Sequence, residues 1–149
     1  MKLTQKVTPF LWFDGTAEAA AKLYVSLFEG SQILNVSPMV VTFELGGQQF
    51  LALNGGPTYH FTEAFSLYVS CEGQAEVDRL WDALIADGGS PSRCGWLKDK
   101  YGLSWQIIPT AFMRLMSDPD PVKAGRVRDA MMTMDKLDIA GLERAHAGA

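Results

Sequence analysis

Val7-Thr8-Pro9-Phe10-Leu11-Trp12-Phe13 runs straight into Asp14-Gly15-Thr16 and an alanine-rich stretch, and Phe65-Ser66-Leu67-Tyr68-Val69-Ser70-Cys71 runs into Glu72-Gly73-Gln74 and a second amphipathic stretch. Both read as a strand, an acidic-glycine turn and a helix. Leu23, Tyr24, Leu27 and Phe28 recur at helical spacing after the first strand. Leu80, Trp81, Leu84 and Ile85 do so after the second, each 57 positions beyond its counterpart. Gly30 and Gly88-Gly89 stand where left-handed C-caps are expected. Short β-rich pieces follow, at residues 32–37 and 39–45 in the first half and 93–98 in the second. Each half closes on one more strand, Gln49-Phe50-Leu51-Ala52-Leu53 after Gly46-Gly47 and Ser104-Trp105-Gln106-Ile107 after Gly102. The chain therefore reads as an α+β protein built from two tandem βαβββ units, at residues 5–57 and 64–109, within a single domain of residues 1–149.

Residues 110–149 read as a helical segment. Thr110 is placed to cap a short helix through Met116, and Asp118-Pro119 is a cap followed by proline at the first helical position. That helix carries Val122, Arg126, Val127, Met131 and Met134, and Asp138 is placed to cap a last helix reaching His146. Met131, Met132 and Met134 read as packing residues rather than as a ligand site.

Composition narrows the functions. Of 149 residues 48% are hydrophobic and 20% charged, which fits one globular domain and excludes a disordered chain. The formal net charge is −4 and the basic residues are scattered, which excludes the basic stripe of a nucleic-acid binder. No apolar run reaches the roughly 18 residues of a membrane span. Met1-Lys2-Leu3-Thr4-Gln5-Lys6 shows no export signal, so a cytoplasmic setting with Cys71 and Cys94 as free thiols is expected.

The stretches TPFLWFDG beginning at Thr8, FLALNGGP at Phe50, CGWLKDKYGLSWQIIPT at Cys94 and LMSDPDPVKA at Leu115 resemble the PhnB-like subfamily of the glyoxalase / bleomycin-resistance / dihydroxybiphenyl dioxygenase (vicinal oxygen chelate) superfamily. The resemblance implies that each unit curls into a half-barrel, that the two halves enclose a cavity, and that the protein is a homodimer. One departure is visible. Family members carry a longer glycine-rich loop near the cavity mouth where this chain reads Val36-Ser37-Pro38-Met39.

The resemblance also implies where metal ligands would stand, on the first and last strand of each unit. Those positions fall on Pro9, Ala52, Ser66 and Gln106. Proline and alanine offer no side-chain donor, serine is a poor one and a glutamine amide is weak, so no metal and no other cofactor is expected. The two histidines, His60 and His146, have no carboxylate or cysteine at ligand spacing. Relatives often carry a ubiquinone-methyltransferase label, but none of Gly46-Gly47, Gly55-Gly56 and Gly88-Gly89 joins a buried strand to a helix as a nucleotide-type site requires. There is no nucleophile elbow. Cys94 lies near Arg93 and Lys98 but without a neighbouring histidine, and reads as an inert thiol.

If the family frame is laid on the strands, alternation points Pro9, Leu11, Phe13, Phe50, Ala52, Asn54, Ser66, Tyr68, Ser70, Ser104, Gln106 and Ile108 inward, and Phe10, Trp12, Leu67, Val69, Trp105 and Ile107 toward the helices. The candidate ligand pocket is then Leu11, Phe13, Phe50, Asn54, Ser66, Tyr68, Ser70, Trp96, Ser104 and Gln106, apolar with a few convergent polar groups. Asn54 is equally a turn residue, Trp96 a core residue, and Lys98-Asp99-Lys100-Tyr101-Gly102 a solvated turn. Three functions fit: metal-independent binding of a small apolar or aromatic molecule, a metal-dependent lyase, isomerase or dioxygenase-like enzyme, and a structural module with a filled barrel. The absence of Asp, Glu, His or Lys among the inward positions favours binding.

Overall fold

The computed structural model describes residues 4–149, so Met1, Lys2 and Leu3, the start of the segment read for an export signal, lie outside the described residues. The chain divides into two compact units, Met1–Phe61 and Thr62–Ala149. In the first, β1 (Phe10–Phe13) leads to α1 (Ala17–Leu27), then β2 (Gln32–Val36), β3 (Val40–Leu45) and β4 (Gln48–Asn54). The sheet order is β1-β4-β3-β2, parallel between β1 and β4 and antiparallel elsewhere. In the second, β5 (Ser66–Cys71), α2 (Gln74–Ile85), β6 (Ser90–Pro91), β7 (Trp96–Lys98) and β8 (Ser104–Pro109) repeat that layout in the order β5-β8-β7-β6. The α+β fold of two βαβββ units is thus the observed one. The piece expected at residues 93–98 is shorter in the structure, because Cys94 and Gly95 take positive φ and break the strand before Trp96.

The first sheet packs its core on α1. Leu11, Phe13, Val41, Phe43, Phe50 and Ala52 are buried, as are Ala17, Ala20, Ala21, Tyr24 and Leu27 of the helix. Register partners share a face, so Leu11, Ala52 and Val41 form one row and Phe43 stacks on Phe50 beside it. Tyr24 of α1 meets the Phe43 ring. Three alanines on the helix let its backbone lie close to these aromatic rings.

The second sheet packs Leu97, Trp105, Ile107 and Cys71 on the α2 side, against Val77, Leu80, Trp81 and Leu84. The Cys71 thiol is pushed up to about 12 by burial and by its hydrogen bond to Glu76 of α2, so it is a neutral packing group. Asp99, in the turn expected to be solvated, is instead 2% exposed. Its carboxylate accepts from the N–H groups of Tyr101 (2.8 Å) and Leu103 (3.1 Å) and from the Trp105 indole (2.9 Å), which closes the β7–β8 turn onto the core.

The C-terminal helices are α3 (Thr110–Met116), α4 (Pro121–Met131) and α5 (Ile139–Ala147). The cap of α4 is Asp120-Pro121, two residues beyond the one expected. The Asp120 carboxylate accepts from Val122 N–H, while Asp118 accepts from Asp120 N–H and pairs with His146 at 2.7 Å. Both Asp-Pro pairs carry the start signal, and the one nearer the helix takes it. Ile108, Leu115, Val127, Leu137 and Leu142 form the small core here. Gly95 admits that core: its φ is +85°, and a Cβ would stand 2.8 Å from Ile108 Cδ1. Gln74 ties α2 to the segment by donating to Leu137 O and accepting from Ile139 N–H, which supplies the bond Asp138 does not make. Arg126 donates to the carbonyls of Ala145 and His146 at the end of α5.

Candidate functional site

Each sheet has one side toward its helix and one side away from it. On the second sheet the side away from α2 carries two rows that the helix does not cover, partly exposed except at the buried Ser104. Ser66, Ser104 and Lys98 are register partners across β5, β8 and β7, and Tyr68, Gln106 and Trp96 form the next row. Gln106 Nε2 donates to Ser66 Oγ at 3.0 Å. The Tyr68 ring is 49% exposed, Trp96 and Gln106 are half-buried, and Ser70 is exposed. Partial burial and then the neighbouring Cys71 raise the Tyr68 phenol above its usual range, which keeps it neutral. The third row ends on Ile108, whose side chain the C-terminal helices cover.

Ser66, Tyr68, Ser70, Trp96, Ser104 and Gln106 are therefore brought together on one face. Lys98 is the member that sequence reasoning missed. It lies two residues beyond Trp96 on the same strand, so the alternation used elsewhere reaches it. Its ammonium pairs with Glu63, and that pairing holds the Glu63 carboxyl below its usual range.

The first sheet requires a correction. Leu11, Phe13 and Phe50, expected to line the pocket, face α1, and so does Ala52. Asn54 is engaged in structure: its Oδ1 accepts from Ala17 N–H (2.9 Å) as the cap of α1, and its Nδ2 donates to Pro38 O (3.0 Å) in the short β2–β3 turn. Phe10, Trp12, Leu51, Leu53, Thr42 and Glu44 take the opposite face. The cause is one residue of turn. Asp14-Gly15-Thr16 separates β1 from α1, whereas only Glu72-Gly73 separates β5 from α2. The helices match at 57 positions but the strands match at 58, and one residue turns every side chain to the other face.

Phe10 is 54% exposed, as the counterpart of Tyr68. Trp12 is fixed by a hydrogen bond to Gly56 O and by the Tyr59 ring edge-on at 4.9 Å. Its indole lies so close to Gly55 that a Cβ there would stand 2.4 Å from the ring.

The residues do not fit a metal centre. Pro9 and Ala52 carry no donor, and Ser66 and Gln106 bond to each other. The corrected face of the first sheet replaces Ala52 with Leu51 and Leu53, which changes the residues and not the chemistry. Among the described residues no group of three or more His, Cys, Asp or Glu could hold a metal ion, and no helix is long and apolar enough to cross a membrane.

Comparison with known proteins agrees with the topology. The model of the protein family described as 3-demethylubiquinone-9 3-methyltransferase matches residues 5–108. A PhnB protein from Bacillus cereus, whose name proposes that methyltransferase activity, is 37% identical, with a TM-score of 0.66 over 70% of this chain and 99% of its own. Protein PA1353 from Pseudomonas aeruginosa is 20% identical (TM-score 0.59, 71% of this chain and 98% of its own). A glyoxalase-related enzyme from Fulvimarina pelagi is 21% identical (TM-score 0.54, 72% and 88%), and these two share the fold. No curated protein matches the chain. With the family match running from β1 to β8 and 37% identity to the Bacillus protein over 70% of the chain, this chain belongs to the PhnB-like family of glyoxalase / bleomycin-resistance / dioxygenase-fold proteins.

Proposed function

We propose that the chain binds a small apolar or aromatic molecule without a metal, on the helix-free face of the second sheet. The observation that carries this is the Tyr68 ring, half exposed on the edge strand β5, in one row with Gln106 and Trp96 and beside the Ser66–Gln106 hydrogen bond. A large aromatic side chain left open beside a few fixed polar groups is the composition of a ligand site. Methyl transfer has less support. Each sheet has a single parallel strand pair, and the glycine pairs Gly46-Gly47 and Gly55-Gly56 lie in turns after β3 and β4 rather than at a helix start.

The test is thermal stabilisation by a panel of small aromatic molecules, with 2-naphthoate and 2-naphthamide among them. Stabilisation of the native chain that disappears in Tyr68→Ala supports the reading. A panel without effect removes it. Elemental analysis of protein purified without chelator separates the rival: near one transition metal per chain would bring back a lyase, isomerase or dioxygenase-like enzyme.

The family resemblance and the exposed Met113, Val122 and Met132 support a homodimer, and a monomer mass by light scattering would remove it. Free Cys71 and Cys94 agree with a reducing cytoplasm.

A further inference from the structure

Ser104 Oγ is buried, in a residue 1% exposed, and has no hydrogen-bond partner among the described residues. A buried hydroxyl without a partner is costly, and a native protein that keeps one has a reason for it. Its register partner on β7 is Lys98 and on β5 is Ser66, whose own hydroxyl is already bonded to Gln106. The row thus pairs a residue with an unsatisfied hydroxyl, in register, with a lysine on the neighbouring strand. The ammonium is met by Glu63, a side chain 62% exposed in the turn that Phe65 N–H closes onto Thr62 O. An oxyanion therefore already sits at the end of this row, and it comes from a solvated turn whose ion pair contributes little.

We infer that the ligand of this face is an anionic aromatic molecule, an aryl carboxylate or phenolate, whose oxygen displaces Glu63 from Lys98 and accepts a hydrogen bond from Ser104. The inference rests on the binding function proposed for this face and adds the charge of the ligand. Tyr68 and Trp96, in the adjacent row, take the ring. Ser104 is the specificity element, because its hydroxyl is satisfied only when the acceptor arrives, whereas Lys98 and Glu63 are paired without it.

Calorimetric titration with 2-naphthoate and with the isosteric neutral 2-naphthamide tests this. The naphthoate should bind about tenfold more tightly. Lys98→Met should remove that advantage and leave the naphthamide unchanged, and Glu63→Gln should strengthen the naphthoate alone. Ser104→Ala keeps the fold as stable or makes it more so, since an unpaired hydroxyl is lost, yet it should weaken the naphthoate severalfold. Equal affinity for the two probes in the native chain overturns the charge assignment and leaves the binding function standing. Binding of neither overturns both. A Ser104→Ala chain that is destabilised and binds naphthoate unchanged shows the hydroxyl to be structural and overturns its role.

Discussion

The two sheets have one topology and chemically different helix-free faces. Matched by their ladders, the row Phe10–Leu51–Thr42 of the first corresponds to Tyr68–Gln106–Trp96 of the second. The pair Glu44–Gln49 corresponds to Lys98–Ser104, so an acid stands where its counterpart has a base. On the helix side the two sheets agree: Leu11, Phe13 and Phe50 on one, and Val69, Cys71 and Trp105 on the other, all at matched positions. A side buried under a helix must be apolar, because an unpaired polar group there costs more than it returns. The side without a helix is under no such constraint, and there the halves have become an apolar aromatic surface and a polar row.

That contrast is broken most directly by truncating one residue from each class. Leu11→Ala, on the helix side, should destabilise the chain by about 3 kcal/mol in urea or guanidinium unfolding. Tyr68→Ala, with the larger side chain, should change stability by less than about 1 kcal/mol, because half of its surface is already wet. If Tyr68→Ala proves the more damaging, the face on which it stands is packed and the distinction between the sides fails.

The hairpin turns sharpen the comparison at a lower magnitude. The β3–β4 turn is made by Gly46 and Gly47, both at positive φ, with the Gly46 N–H donating to the Ser31 hydroxyl at 3.1 Å and no carboxylate gathering its donors. The β7–β8 turn is held by the Asp99 carboxylate with its three donors. Asp99→Asn keeps one acceptor but turns an amide N–H₂ toward either the Trp105 indole or the backbone donors. A loss of about 2 kcal/mol is expected, together with a shift in the emission of Trp105. An unchanged unfolding midpoint would mean that the turn holds itself.

These cases also show what the sequence could tell. The units were legible because Leu23, Tyr24, Leu27 and Phe28 repeat at helical spacing in Leu80, Trp81, Leu84 and Ile85, and helical periodicity survives small changes in loop length. Strand parity does not survive them. The additional residue in Asp14-Gly15-Thr16 reversed the sides of β1, and with them the expected roles of Leu11 and Phe13. In the second unit the family frame met the true parity, so Ser66, Tyr68, Ser70, Ser104 and Gln106 share the face expected of them. Lys98 was within reach of the same alternation from Trp96. Asp99, Asn54 and the Asp118–His146 pair were not, because each depends on a partner that only the fold brings near.

The smallest effect concerns what the second unit has and the first lacks, the helices after β8. Asp118 joins the start of α4 to the end of α5 through Asp120 N–H and His146. The Asp120 N–H first, then His146, and more weakly the Lys123 charge hold its carboxyl below its usual range. A carboxyl whose folded pKa lies below its unfolded value, roughly 4, binds fewer protons folded than unfolded. Its contribution is therefore complete above that value and is lost as pH falls through the folded pKa. Asp118→Asn should lower the thermal midpoint near neutral pH by an amount on the order of 2 °C, since the pair is partly solvated. The two chains should then converge as the pH is taken below the carboxylate range. A gap that persists at the acid end would assign the loss to the amide's own geometry at the cap rather than to the charge, and the C-terminal helices would be held without it by their apolar core and the hydrogen bonds of Arg126 and Gln74.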